Sequence, residues 1–400
     1  MNIFMFEKGT IVALITFLEC LIILFYKYVI ELLSYKYLIP EDNSFFKKTR
    51  FNFNIVFLTF TTLSILILVA LRPINAGNDT PRYIQTYEKI TTITSAPLTG
   101  YEGFGSREIG FWYLLAFIKK FFSLSPENFL IFYTFLSFFI TLICFYIVLK
   151  QFKLESYTPL ALSYLFSTYY IVYFGNALRQ ILIIPLLLLS FYLFYKDKYI
   201  LGFTIIFIAS LFHFSAIWAI TFIFVLKIFN AEKIKYYGIA IILIAIIFIF
   251  QEKLILNMIG YIIKHIPLDI SSYIYKKINL YLTNKFALKD VSNILQIKNF
   301  IYFSFIYLIF MVIFNKDKES FVLFTKIFST FVFITFLFLF NLPQIADRFL
   351  PYAFVSLSLI YLLSFKKNFY FFVFLTIINC IYFILVLNAP STQYTLGFKF

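Results

Sequence analysis

Apolar runs recur from one end of the 400-residue chain to the other, separated by mostly short polar links. Nothing else in the sequence constrains its fold so tightly. A helix that crosses a bilayer needs about 20 consecutive apolar residues. In lipid every backbone N–H and C=O must be satisfied within the protein, which favours helices. The expectation is an all-α, polytopic integral membrane protein. Composition agrees: 62% of residues are hydrophobic and 13% are charged, against roughly 25% charged in soluble proteins. Mean hydropathy is +0.90. No soluble core would hide that much apolar surface, so lipid must be its solvent. The 59 Phe and 31 Tyr residues fit a low-GC genome better than an aromatic binding site.

About twelve spans are expected, with 11–13 the range, in a single membrane domain over 1–400. They are placed at 10–33, 53–71, 128–149, 157–174, 178–195, 199–212, 214–227, 236–251, 300–314, 320–340, 349–364 and 369–387. Two longer polar stretches, about 72–127 and 252–299, interrupt them, and neither has the composition of a flexible linker. The run after Lys8 lacks a small-residue cleavage site, so it is expected to stay as a span. Two places are ambiguous. Residues 199–227 fit either one long helix or a hairpin turning at His213, and loop charge favours the hairpin. Glu108–Phe122 is apolar but short and carries Lys119 and Lys120. It is expected to be a re-entrant or interfacial helix on the outer face.

Basic residues in short loops mark the cytoplasmic side. Lys36, Lys47, Lys48 and Arg50 follow span one, Lys150 and Lys153 span three, and Lys196 and Lys198 span five. Lys227, Lys233 and Lys235, then Lys316 and Lys318, then Lys366 and Lys367 continue the pattern. Twelve spans put all of these on one face, which is then the cytoplasm of a bacterial inner-membrane protein. Both termini and both long stretches face outward. Topology thus explains most of the +15 net charge, and nucleic acid is not an expected partner. Cys20, Cys144 and Cys380 lie in apolar runs, which argues against a disulfide framework and against metal spacing.

Arginine breaks the symmetry. Of Arg50, Arg72, Arg82, Arg107, Arg179 and Arg348, all but Arg50 map to the outer face. Lysine suffices to anchor a loop, whereas arginine's planar fork grips phosphate or carboxylate at two points. An anionic ligand on the outer face is therefore expected.

Five outer-face segments carry polar chemistry. Arg72 to Tyr83 holds Asp79, placed either to cap a helix beginning near Pro81 or to act on a sugar, with Arg82 near a phosphate. Arg107-Glu108 at the edge of an apolar segment is either an ion pair or a desolvated base. Asn176, Arg179 and Gln180 open span five, where a cation needs a reason: snorkelling, or a lipid-linked diphosphate. His213, between two apolar runs, is either a hydrogen-bonded structural residue or a proton shuttle. Pro343 to Pro351, a short expected outer loop, holds Asp347 and Arg348, either a surface pair or a second phosphate grip. Phosphate-loop, dinucleotide-binding and zinc-protease signatures are all absent from the sequence, and His213 and His265 are too few for a protein-supplied zinc site.

Four of these segments, in this order, resemble the EpsG family of exopolysaccharide polymerases, relatives of the O-antigen polymerase Wzy. They are Arg72 with Gly77-Asn78-Asp79-Thr80 and Tyr83; Glu108 with Gly110 and Phe111; Asn176 with Arg179 and Gln180; and His213 with Ser215 and Ala216. The likeness runs from about 60 to 230, with weaker support near Arg348. Pro73, and Asn78 between Gly77 and Asp79, depart from the pattern. The resemblance implies a metal-independent glycosyl transfer with no cofactor. Polyprenyl-diphosphate-linked oligosaccharides would be both donor and acceptor, with membrane lipids and a chain-length regulator as further partners. It implies Arg179 and Arg348 as grips on the donor diphosphate, Glu108 or Asp79 as base, and His213 as helper. Arg72, Arg82, Asn176, Gln180 and Tyr83 complete the substrate-binding set. Two other functions fit a chain of this kind: a flippase for lipid-linked sugars, or an O-antigen ligase-type glycosyltransferase.

Overall fold

The computed structural model describes residues 59, 62–77, 79–93, 108–168, 170–220, 291–339 and 343–387. Among them every regular element is a helix. The expected spans 10–33 and 236–251 lie outside the described residues. In chain order the helices are α1 (62–70), α2 (Thr80–Lys89), α3 (Ile109–Phe122), α4 (Pro126–Lys150), α5 (Thr158–Phe166), α6 (Tyr170–Asn176), α7 (Leu178–Tyr195) and α8 (Tyr199–Phe212). Then follow α9 (Val291–Ile313), α10 (Ser320–Leu339), α11 (Pro343–Lys367) and α12 (Phe369–Leu387), with 3-10 turns at Glu155–Tyr157 and Phe214–Ile220. Among the described residues, three helical segments are long and apolar enough to cross a membrane: Pro126–Lys150, Leu178–Tyr195 and Phe349–Lys367. Shorter apolar segments run over Tyr199–Phe212, Ile301–Ile313, Ser320–Thr335 and Phe369–Tyr382.

The chain divides into two compact units, one of residues 1–223 with 358–400 and one of residues 224–357. In the first, α4 and α7 run in the same direction and pack side by side. Ser125 starts α4 by accepting a hydrogen bond from the Asn128 N–H at 3.3 Å, the usual way to satisfy an orphan donor at a helix start. At the N-terminal end of the pair the Tyr133 hydroxyl donates to the Leu178 carbonyl at 2.7 Å. At the C-terminal end Phe152 meets Tyr192 with ring centroids 5.7 Å apart, and Lys196 Nζ lies over Phe152. The lysines Lys150, Lys153, Lys196 and Lys198 therefore gather at one end, about 24 Å along the 18-residue α7 from Arg179. After a tight turn through Asp197, which adopts positive φ, α8 returns along α7. Gly202 makes that approach close: a Cβ there would sit 2.3 Å from the Phe194 ring. Ser190 Oγ donates to the Gly202 carbonyl across the same contact at 3.0 Å.

Two sequence expectations need correction. The expected span 157–174 is broken into α5 and α6 around Ser167 and Thr168. Their hydroxyls fold back onto the backbone carbonyls of Tyr164 and Leu165. Asn379 of α12 donates to both the Ser167 carbonyl and its hydroxyl at 3.2 Å. A broken helix is tolerated in an apolar interior when a partner re-satisfies the freed groups in this way. The stretch 343–351, expected as a loop, is instead helical, and Pro351 lies inside α11. Pro343 stands at the first position of that helix, where its missing N–H and fixed φ cost nothing.

The second unit pairs α9 with α10 and includes α11 up to Leu357. Its apolar faces are pinned by hydroxyl contacts: Tyr307 with Thr330 at 2.9 Å and Ser356 with Ser329 at 2.6 Å. At the α9–α10 turn, Lys326 Nζ donates to the carbonyls of Asn315 and Asp317.

Candidate functional site

The site forms at the end of the first unit opposite the lysines, because four chain breaks meet there. The first is the start of α2. Thr80 and Pro81 open that helix, as the sequence predicts, and Asp79 holds the capping position. Its side chain makes no capping bond. Instead the Asp79 N–H donates to Asn176 Oδ1 at 3.2 Å, and Thr80 Oγ1 donates to the Gly175 carbonyl at 3.3 Å. These two bonds tie the start of α2 to the end of α6. The Asp79 carboxylate faces Arg82 at 3.9 Å, and Arg82 is largely exposed.

The second break is at Glu108, which begins α3. That helix has 14 residues, about 21 Å, too short to cross a bilayer core of about 30 Å. Phe111, Trp112, Leu115, Ala116 and Ile118 are buried, while Tyr113, Phe117, Phe121 and Phe122 are exposed. Lys119 donates to the carbonyls of Tyr87 and Glu88, closing the end of α2. Burial draws the Lys119 ammonium below its ordinary pKa, against the opposing pull of Glu88.

Gly110 sets the seating of α3 against α8. A Cβ there would lie 2.9 Å from Leu211 Cβ and 3.1 Å from the Leu211 carbonyl oxygen. The second contact is to backbone, which cannot swing away. Gly110→Val is therefore expected to push α3 off α8 and lower thermal stability by about 1–3 kcal/mol. A melting curve of the purified protein checks it; an unchanged melting temperature would show that the contact is not tight.

The remaining breaks bring in Arg179 and His213. Ala177 separates α6 from α7 and places Arg179 in the first turn of α7, buried at 4% exposure. A cation at a helix N-terminus is unfavourable, and here a carboxylate offsets it. Arg179 Nη1 donates to Glu108 Oε2, with both side chains buried. Arg179 Nε donates to the Tyr83 hydroxyl at 3.1 Å, and the guanidinium lies 5.5 Å from the Tyr83 ring centre. Tyr83, Phe111 and Tyr133 wall the pair through edge-on contacts. The other Glu108 oxygen is 3.8 Å from His213 Nδ1. His213 is extended at φ −154°, so α8 ends at Phe212 and a 3-10 turn follows. The single long helix over 199–227 is thereby excluded, although residues 221–227 are outside the described set.

Glu108, Arg179, Tyr83 and His213 thus converge, with Asp79 and Asn176 beside them. The ion pair of Glu108 is with Arg179; Arg107 lies outside the described residues. Gln180 is buried in the same turn. Arg72 is also buried. Its Nη1 donates to the Val69 carbonyl at 2.9 Å and to Thr134 Oγ1 at 3.4 Å. Nε and Nη2 of Arg72 have no hydrogen-bond partner among the described residues. Arg348 falls on α11 in the second unit, and its side chain is outside the described set. Tyr133, which fixes the Leu178 carbonyl beside Arg179, was not singled out in the sequence. Within an apolar run rich in Phe it carries no local signal. Among the described residues no three His, Cys, Asp or Glu side chains converge as metal ligands.

The EpsG family model matches residues 55–398. The chain belongs to the EpsG family. That match spans every element of the site, and extends the likeness well beyond residue 230, where the motif resemblance ends. EpsG membership makes this a membrane protein of polysaccharide-polymerase-like, glycosyltransferase-like type. No curated protein and no solved structure matches the EpsG chain.

Proposed function

We propose that this EpsG-family chain is a polysaccharide repeat-unit polymerase of the bacterial inner membrane, crossing it about twelve times. It transfers a growing glycan from polyprenyl diphosphate to a lipid-linked acceptor repeat unit on the outer face. The observation that carries this reading is the buried Glu108–Arg179–Tyr83–His213 cluster at the end of the bundle opposite the lysines. In the proposed step a hydroxyl oxygen of the acceptor sugar gives its proton to a carboxylate and attacks the donor's anomeric carbon. The bond from that carbon to the diphosphate oxygen breaks, and the diphosphate leaves with the electron pair. Asp79 is the better base: Glu108 already accepts from Arg179, whereas the Asp79 carboxylate lies 3.9 Å from Arg82 and within the field of Arg179. Arg72 and Arg179 supply positive charge for the leaving diphosphate, so the step needs no metal. Arg82, Tyr83, Asn176 and Gln180 line the approach of the sugars.

Complementation of a strain lacking its own polymerase tests the function. The chain is expected to restore a ladder of polymer lengths. Accumulation of single lipid-linked units on the outer leaflet, with no ladder, would overturn the proposal. Rescue of a flippase-deficient strain, or of a ligase-deficient one, in place of the polymerase-deficient strain would do the same in favour of those activities.

A further inference from the structure

His213 does two things at once in the turn after α8. Its backbone carbonyl accepts from the Ala216 N–H at 3.0 Å, and its Nδ1 accepts from the Ser215 N–H at 3.2 Å. The side chain therefore caps the 3-10 turn Phe214–Ile220, taking the place that Ser, Asn or Asp fills in most helix starts. A backbone N–H has a fixed hydrogen. It cannot point at a ring nitrogen that carries a hydrogen of its own, so Nδ1 is bare. The Ser215 hydroxyl, 2.8 Å from the same nitrogen, then donates to it as well. Which ring nitrogen holds the proton is set by the bond that the other one makes. With Nδ1 bare, the neutral ring carries its hydrogen on Nε2. Glu108 Oε1 stays at 3.8 Å from Nδ1, beyond hydrogen-bond reach.

We infer that Ser215 is a positioning residue that locks His213 in the Nε2–H form, so that His213 serves the site as a hydrogen-bond donor to a phosphoryl oxygen and not as the base. The inference rests on the proposed function for its ligand, but the tautomer stands apart from any activity. It also divides labour within the cluster. Asp79 takes a proton, Arg179 is held by Glu108, and His213 offers one N–H to the departing diphosphate.

The chain has two histidines, so His265→Gln leaves a single imidazole for 15N-histidine solid-state NMR in bicelles of zwitterionic lipid. The expected spectrum shows a protonated Nε2 and a bare Nδ1. Adding polyprenyl diphosphate is expected to shift the Nε2 resonance. A protonated Nδ1 would overturn the assignment. An unmoved Nε2 would overturn the diphosphate as ligand, as would a resonance already fully shifted by bicelle phospholipid alone.

Two substitutions separate a working donor from a mere cap. His213→Asn keeps a good capping side chain and loses Nε2–H. It is expected to accumulate normally and to elongate at least about tenfold more slowly. Wild-type elongation in His213→Asn would reduce His213 to a structural cap. Ser215→Ala keeps the backbone N–H that leaves Nδ1 bare but loses the hydroxyl contact at 2.8 Å. It is expected to keep the Nε2–H form and to slow elongation as the ring loses one of its two anchors, and Ser215→Thr to restore the rate. A Ser215→Ala rate identical to wild type would remove the hydroxyl from the device, and an Nδ1–H form in that variant would overturn the role of the backbone N–H. If the wild-type chain fails to restore polymer, the proposed function falls while the 15N result still decides the tautomer.

Discussion

Arg179→Ala and Glu108→Gln are each expected to abolish polymer in complementation and to lower the amount of folded protein. The pair is buried on both sides, at 5% and 9% side-chain exposure. Removing one partner strands the other charge in an apolar interior, at a cost of about 3–5 kcal/mol. That is a large share of the stability of any domain, so loss of activity alone would not reveal a role in chemistry. The double variant Arg179→Met, Glu108→Leu resolves this. Replacing both partners with apolar residues of similar size is close to neutral for folding. The double variant is therefore expected to regain normal abundance and still make no polymer. A double variant that restored the ladder would show that the pair only holds the fold together. Arg179→Lys is expected to fail as well, since an ammonium cannot reach Glu108 and Tyr83 together as the guanidinium fork does.

The second large effect is expected at Asp79. Asp79→Asn keeps a side chain suited to the start of α2, and the Asp79 N–H bond to Asn176 does not involve the carboxylate. Folding should be unaffected. Elongation should fall by about 10²–10⁴-fold, the usual contribution of a positioned general base. The readout is the rate at which polymer appears after induction, normalised to protein in the membrane. Wild-type rates in Asp79→Asn would move the base to another group. The same rate loss accompanied by unfolding would mean that the carboxylate had a structural partner after all.

Local signals in the sequence reach a long way into this fold. Polar residues end the apolar runs at Lys150, Tyr195 and Phe212, and the helices stop there. The short run with two lysines after Glu108 became a 14-residue helix with one buried and one exposed face. The break at His213 followed from loop charge alone. What stayed hidden depends on contacts between distant parts of the chain. The break at Ser167 is sustained by Asn379, 212 positions away, and no window along the sequence joins them. Tyr133 is one aromatic residue among many until its hydroxyl meets Leu178. The sequence context of Arg179 fits snorkelling or a grip on a diphosphate, and its partner Glu108 comes from 71 positions earlier. Asp79 shows the opposite case. Its sequence context fits a helix cap, yet the start of α2 is anchored to α6 through the Asp79 N–H and the Thr80 hydroxyl, and the carboxylate makes no capping bond.

The central claim is that the cluster opens to the outer face, where lipid-linked repeats are polymerised. Lys89 is exposed at the end of α2, on the side of the site, and Lys198 is exposed at the opposite end of α7. In a background with Cys20, Cys144 and Cys380 replaced by alanine, Lys89→Cys and Lys198→Cys each offer a single thiol to a membrane-impermeant maleimide on intact spheroplasts. The account predicts that residue 89 is labelled at once and that residue 198 is labelled only after the membrane is ruptured. Labelling of residue 198 with protection of residue 89 would turn the site toward the cytoplasm and contradict it.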